Sequence, residues 1–480
     1  MMSPDEYQSH DALGLADLVA KGEVTPTELL KAAIDRLEEV NPSINAIAHR
    51  AFDAAAATID AGVPAGPFSG VPFLLKDLGA AAIDVPSSFG SRLFANTHFP
   101  VDGALVERLK RAGLVIFGRT TSPELGVGPI TEAKVYGGPT RNPWNLDHTA
   151  GGSSGGAAAS VAAGIIPAAH GSDGGGSIRI PAASSGLFGL KPTRARVPAG
   201  PLVGEGWAGM AVDGFLTRSV RDTAALLDAV AGPDAGAPYY PPPLEQGFVK
   251  AIGRPPARLK IAFSFKSFTG EPVHPDCRDA VDKAASLLAD LGHHVEEADP
   301  APDLMPMMQA WTRIVACGTA LSVRQKVDAR GQPLDPDEVE GITRGAIALA
   351  ETISGADYLQ AVNQIHRFGR DFAAFFEGCD FLVTSTLAEP PARIGRFAPD
   401  DEDFLDHRLG PEGILPYSPF TPAFNASGQP AMSLPLHWNA AGLPIGVHIA
   451  GRFGADETLI ALAAQLEAAA PWFGTMPPRG

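Results

Sequence analysis

The sequence predicts an α/β fold on three observations. Short apolar runs of strand length alternate with helical stretches, several of those stretches open on capping signals, and glycine gathers in two clusters where backbone must run close to something.

The first confident element opens at Thr25-Pro26-Thr27-Glu28, where a hydroxyl N-cap, proline at the first helical position and Glu at the third make a capping box. Leu29, Leu30, Ala33, Ile34 and Leu37 follow at helical spacing, and Asn41-Pro42 is expected to end the helix. Gly70 to Asp77 is an apolar run closed by two charges, which reads as a buried strand delivering Lys76 at its end. Residues 101–112 read as a helix and 114–118 as a strand. Between Gly137 and Thr193 the chain changes character, with Gly151-Gly-Ser-Ser-Gly-Gly156, an Ala-rich helix through Ala163, and Gly174-Gly-Gly-Ser-Ile-Arg179. A Pro-rich stretch, 233–243, reads as a linker or surface excursion. After it come a strand over 258–265, an amphipathic helix over 276–291 and a short strand from His294, a βαβ unit that could extend the same sheet or form a small lobe; the same sheet is preferred. Ser354-Gly-Ala-Asp357 opens a long helix towards Glu377, followed by strands at 381–385, 431–436 and 445–450 and a closing helix over 456–470.

Composition limits function before any motif does. The 480 residues carry 54 acidic and 37 basic side chains, a net charge of −17, with 45% hydrophobic and 19% charged residues, so the chain is not intrinsically disordered. Acidity spread along the chain without basic blocks argues against nucleic acid or a membrane surface as partner. Cys277, Cys317 and Cys379 are far apart and suggest neither a disulfide framework nor a metal cluster. His293 and His294 are neighbours that would point apart on a strand, and no H-E-x-x-H occurs, so no metal is expected. The N-terminal stretch has no basic n-region, and no run reaches the roughly 18 apolar residues of a membrane span, so a soluble, cytoplasmic protein is expected.

Three residues could carry chemistry together: Lys76 after its apolar strand, Ser153 in the first glycine cluster and Ser177 at the end of the second. A lysine at a strand end is usually a solvated flank, and a serine in a glycine loop usually a turn residue. Their conjunction is what matters. A serine hydroxyl is a poor nucleophile until a base takes its proton, and a lysine in an apolar pocket can have its pKa lowered enough to be that base. The N–H groups of Gly174, Gly175, Gly176 and Ser177 can point into one concavity, a nest suited to an oxyanion; a tight connection ahead of a helix is the bland alternative.

These residues resemble the amidase signature family of serine hydrolases with a Ser-cisSer-Lys triad. The likeness lies in Gly151 to Gly156, Gly171 to Ala183 and Gly189 to Thr193, and extends to Gly70–Leu78, Gly118–Glu124, Asn425–Ala431 and Gly442–Gly446, so it covers essentially the whole chain. Within the family, Thr140 to Asn145, Ala169 to Gly171 and Gly214 to Asp222 look most like the 6-aminohexanoate cyclic dimer (nylon oligomer) hydrolases. The resemblance implies a large mixed β-sheet covered by helices on both faces, in one domain over 1–480. That domain has a signature core at about 65–235 and a C-terminal half, 258–480, completing the same sheet. It implies Ser177 as nucleophile, Lys76 as base and Ser153 as the bridging serine beside an unusual peptide bond, with Gly174, Gly175, Gly176 and Ser177 as the oxyanion hole. Ser154, Asp173 and Arg179 match supporting positions; Cys317, Trp207 and Phe424 are candidates for the substrate pocket, with core burial as the alternative. Ser172, Gly174 and Ser185 depart from the family pattern, and the extra glycine puts substrate size in question.

The expected activity is hydrolysis of a small-molecule amide, linear or cyclic, through a Ser177 acyl-enzyme and without a cofactor. Aryl amides, esters and carbamates would pass the same chemistry. Two other readings stand beside it: a G-x-S-x-G nucleophile elbow at Gly151–Gly155, which would need a strand where Asn142–Asp147 reads as turn, and the glutaminase subunit of a tRNA amidotransferase. The complete Lys76, Ser153, Ser177 set counts against a non-catalytic binding protein. Gly204–Gly209 fits G-x-G-x-x-G literally but has no flanking strand and helix, and reads as a substrate-side loop. A homodimer is a common enough state to expect.

Overall fold

Alternation of side chains along the strands gives the architecture its two covered faces. The computed structural model describes residues 2–478. Its strands are β1 (Ile47–Arg50), β2 (Pro72–Lys76), β3 (Val115–Thr120), β4 (Arg141–Asn142), β5 (Asn145–Thr149), β6 (Ala168–Asp173), β7 (Phe188–Lys191), β8 (Val212–Thr217), β9 (Lys260–Phe263), β10 (His294–Glu297), β11 (Phe381–Ser385), β12 (Ala431–Trp438) and β13 (Pro444–Gly451). Eleven of them form one sheet in the order β1-β3-β2-β6-β8-β7-β12-β13-β11-β9-β10. It is mixed: β2 runs parallel to β3 and β6, and β9 parallel to β10 and β11, whereas β7 is antiparallel to β8 and β12.

Ile261, Phe381, Val383, Met432 and Ile449 join one apolar core, while their chain neighbours Ala262, Leu382, Ala431 and Ala450 join another. Successive strand residues therefore feed opposite faces, and both faces are buried. Helices Pro275–Asp290 and Asp456–Ala469 cover the first; Leu304–Arg330 and Gly355–Phe375 cover the second. The fold is α/β with a large mixed sheet between helices. The βαβ unit of β9, helix Pro275–Asp290 and β10 lies at the edge of this same sheet, its strands parallel. Among the described residues, no helix is long and apolar enough to cross a membrane.

Two expectations need correction. The helix that begins at Pro26 does not stop at Asn41-Pro42 but runs to Ile44. Pro42 falls in the last turn, where it removes a single donor. The end is set instead by Asn45, left-handed at φ 49°, and by the Asn41 side chain, which accepts from the Ala46 and Ile47 N–H groups. The segment 142–147 is not a plain turn, because β4 and β5 flank Pro143-Trp144 as a two-stranded ribbon apart from the main sheet. Thus β5 precedes Ser153, but it is not a strand of the main sheet.

A buried helix, Arg179–Ser185, starts two residues after Ser177 and crosses closely over β13. Gly446 permits that approach: a Cβ there would stand 2.4 Å from the Ala183 Cβ and 2.5 Å from the Ser433 Oγ. Gly446→Ala is expected to lower stability by about 1–3 kcal/mol through overpacking, read as a reduced urea midpoint at unchanged slope.

Candidate active site

Parallel neighbours end on the same side of a sheet, and β2 and β6 are parallel neighbours. Lys76 is the last residue of β2 and Ser172-Asp173 end β6, so the strand ends bring them together. The Lys76 side chain is fully buried. Its Nζ lies 2.7 Å from the Ser153 Oγ, 2.9 Å from the Ser172 Oγ and 3.5 Å from the Ser172 carbonyl oxygen. Burial pulls its pKa down to about 7, against an opposing pull from the Asp213 and Asp173 carboxylates. A neutral amine there has one lone pair and two N–H groups for these three oxygens.

The backbone around Lys76 is fixed from two sides. Its N–H donates to His170 Nδ1 at 3.2 Å, which leaves the imidazole proton on Nε2, 3.1 Å from Asp213 Oδ1. Its carbonyl accepts from Arg119 Nη1 at 2.9 Å; the same buried guanidinium donates to the Pro86 and Ala80 carbonyls and so ties down the loop after β2. Asp77 is buried beside it and accepts from Ser87 Oγ, the Ser88 N–H and the Tyr136 hydroxyl.

Ser153 enters from the loop between β5 and the helix Gly155–Ala162, and the Gly152–Ser153 peptide bond is cis. Gly152 has no room for a side chain, since a Cβ would lie 2.3 Å from the Ile130 carbonyl oxygen. Ser154 ties the two glycine loops together: its N–H donates to the Ser177 carbonyl at 3.3 Å, and its hydroxyl bridges the Ser172 backbone N–H and carbonyl.

The second glycine loop is organised by an ion pair with no solvent exposure. Arg179 donates to Asp173 through Nε and Nη2, both at 2.9 Å, and also reaches the Thr421 carbonyl and the Asn425 Oδ1. Asp173 in turn accepts from the Gly176 N–H at 2.7 Å and the Ile178 N–H at 3.1 Å. Against the desolvation cost, the Arg179 guanidinium holds its carboxyl far below the usual carboxylate range. One expectation changes here: the Gly176 N–H points at Asp173, so it is already spent and does not face a substrate oxygen. Gly174, Gly175 and Ser177 remain as candidates for the nest. Asn425, missed in the sequence as a site residue, completes the network by donating to the Asp173 carbonyl and Oδ1 and to the Met210 carbonyl.

Two cavities meet at Ser177, Gly126 and Trp207. The larger, about 1580 Å³ and open to solvent, is lined by Ser153, Ser172, Asp213, Phe94 and one stripe of the helix Leu304–Arg330 that includes Gly318, Thr319, Ser322 and Lys326. The smaller, about 490 Å³ and likewise open to solvent, is lined by Gly175, Ile180, Met308, Trp311, Leu415 and Arg408. Trp207 and Trp311 stand edge to face between them, ring centroids 5.9 Å apart, and Trp311 Nε1 donates to the Gly174 carbonyl at 3.1 Å. The unusual glycine at 174 now has its reason: a Cβ there would lie 2.5 Å from the Trp207 ring. The position does not loosen the loop, because tryptophan fills the space.

Trp207 therefore lines the site, as expected for the Gly204–Gly209 loop, but two other pocket candidates do not. Phe424 is fully buried, stacked edge-on to Phe372 at 5.3 Å in the second core. Cys317 is partly exposed and sits beside the cavity stripe; its neighbours Gly318 and Thr319 are the lining residues. Arg119, His170 and Asn425 lay within sequence stretches that carried the family resemblance and could have been singled out there. Thr421 and Arg408 had no local signal.

The Amidase family profile matches residues 28–460. This chain belongs to the amidase family. The amidase is 37% identical over 477 residues to the 6-aminohexanoate-cyclic-dimer hydrolase of Paenarthrobacter ureafaciens, covering 97% of this chain and 96% of that protein. It is 36% identical to a putative amidase of Synechocystis, covering 95% of this chain and 88% of that protein. Among solved structures, a 6-aminohexanoate cyclic dimer hydrolase complexed with substrate superposes with a TM-score of 0.92 at 34% identity, covering 98% of this chain and 99% of that one. A bacterial aryl acylamidase of the amidase signature enzymes superposes with a TM-score of 0.86 at 32% identity, covering 96% of each chain. The amidase thus hydrolyses carbon–nitrogen bonds of amides other than peptides.

Removing one partner of a buried ion pair leaves the other charge uncompensated. Asp173→Asn is expected to destabilise the amidase by about 3–5 kcal/mol, measured by chemical denaturation.

Proposed function

We propose that the amidase acts through Ser177 as nucleophile, Ser153 as proton bridge and Lys76 as base, on a small linear or cyclic amide. The single observation that carries this reading is Lys76 Nζ, fully buried, 2.7 Å from Ser153 Oγ with its pKa lowered to about 7. At neutral pH such an amine can accept a proton, which an ordinary lysine cannot.

In the proposed sequence Ser177 Oγ gives its proton to Ser153 Oγ, whose own proton passes to Lys76. The Ser177 oxygen attacks the amide carbon, and the nest of Gly174, Gly175 and Ser177 N–H groups receives the oxyanion. Reversal of the relay protonates the leaving nitrogen and breaks the C–N bond. Water then gives a proton to the same relay and attacks the acyl carbon; the Ser177 Oγ–C bond breaks, the relay returns that proton to Ser177, and the acid product leaves and ionises to the carboxylate. Ser153, Ser172 and Asp213 line the larger cavity, so the amine leaves by that side; Gly175 and Ile180 line the smaller, which takes the acyl part.

The substrate class follows from the relatives. A cyclic amide of the 6-aminohexanoate dimer type is the first choice, because both a curated relative and a solved structure similar over nearly the whole chain carry that activity in their names. Aryl amides are the second, favoured by the aromatic walls of Phe89, Phe94 and Trp207 in the larger cavity. A homodimer in the cytoplasm, without nucleic acid or membrane partners, belongs to the same proposal; the net charge of −17 supports the absence of those partners and the three free cysteines a reducing compartment.

A fluorophosphonate is expected to label Ser177, and the Lys76→Ala protein to lose that labelling, read by peptide mass spectrometry; labelling at Ser153 would favour the elbow reading instead. Lys76 must be neutral to act, and protonation switches it off as pH falls. Accordingly kcat/KM on an anilide is expected to plateau above an apparent pKa near 7 and to fall about tenfold per pH unit below it.

A further inference from the structure

Arg408 is a cation without a counterpart. It lies at the end of the helix Phe404–Leu409, is 3% exposed, and its Nε and Nη2 have no hydrogen-bond partner. Arg196 and Arg218 also leave Nε unpaired, but each of the other deeply buried guanidiniums donates elsewhere: Arg119 to backbone carbonyls, Arg179 to Asp173, Arg196 to Asp456 and Arg218 to the His10 carbonyl. Arg408 is held only by rings, with its guanidinium 4.7 Å from the Trp311 centroid and 4.6 Å from Phe404. Burial alone lowers its pKa to about 9, with no carboxylate raising it, so it is charged at neutral pH. Buried polar groups are normally satisfied, and an unpaired buried charge is costly unless something binds it.

This arginine lines the smaller cavity, and among the described residues it is the one charged side chain there. Ser177 lines the same cavity, and apart from Ser418 its other side-chain walls, among them Ile180, Met308, Trp311, Leu415 and Pro422, are apolar. The wall would suit a short hydrocarbon spacer, and a guanidinium with unpaired N–H groups matches a carboxylate through charge-assisted hydrogen bonds.

We propose that Arg408 binds a terminal carboxylate on the substrate's acyl part, so that the amidase takes monoamides of short dicarboxylic acids besides the neutral amides named above and favours them over neutral amides of the same chain length. This rests on the reading of Ser177 as the acylated residue with the smaller cavity on its acyl side. It adds a charge preference that neither the family nor the relatives' names supply.

The test compares kcat/KM for the monoanilide of adipic acid with that for hexananilide, which has the same chain length and no charge. The wild-type enzyme is expected to favour the carboxylated anilide by about 10- to 100-fold, as a charge-assisted hydrogen-bonded contact allows. In Arg408→Met the ratio of the two values is expected to fall towards one, and Arg408→Lys to restore part of it. Equal rates in the wild type, or a variant that loses both activities with the ratio unchanged, would overturn the proposal. Should the variants not fold, wild-type inhibition decides: adipate is expected to compete against hexananilide more strongly than adipamide, and equal inhibition overturns the assignment. Hydrolysis of neither anilide would count against anilides as substrates. In that case protection of Ser177 from the fluorophosphonate by adipate but not adipamide would still support the arginine's role, and equal protection would refute it.

Discussion

The rest of the site depends on the Asp173–Arg179 ion pair. Six residues apart in sequence, the two side chains close the glycine loop on itself, with Asp173 taking the Gly176 and Ile178 N–H groups and Arg179 reaching across to Thr421 and Asn425. A loop of three glycines has little conformational preference of its own. The pair supplies what glycine lacks by fixing where the loop's carbonyls and remaining N–H groups point. Because both ions are fully buried, their attraction and their shared hydrogen bonds must offset a large desolvation cost, and each further partner in the network contributes to that.

The sheet delivers the other half of the site. Two parallel strands end side by side, so the lysine at the end of β2 meets the serine and aspartate at the end of β6 without any long loop having to place it. The same burial that makes Lys76 expensive to keep charged is what suits it to accept a proton. His170 and Arg119 hold its backbone, through its N–H and its carbonyl respectively, so the amine is positioned by the sheet and its second layer of contacts and not by its own flexible stem.

Trp207 and Trp311 divide the space above Ser177 into a larger cavity on the Ser153 side and a smaller one on the Gly175 side. They also explain two of the glycines: side chains at 174 or 175 would run into the two indole rings. The shape of the site is therefore a joint property of a glycine loop after β6 and of a helix more than a hundred residues later.

What the sequence by itself determined was local and covalent: strand and helix periods, caps at Thr25 and Ser354, and glycine loops whose residue types and spacing leave few chemical uses. Lys76, Ser153 and Ser177 were legible because each sits inside such a pattern, and so were the supporting Ser154, Asp173 and Arg179. Only the tertiary structure decided which donors remain for a substrate oxygen, since nothing near Gly176 in sequence says that Asp173 turns back on its N–H. It also decided the pocket walls. Phe424 and Trp311 both belong to the second core, yet only Trp311 also borders the cavity, because the facing is set by helices that meet only on folding. Arg408 is the limiting case: an arginine in a run of charged residues reads as surface, and only the fold takes it out of water and leaves it without a partner.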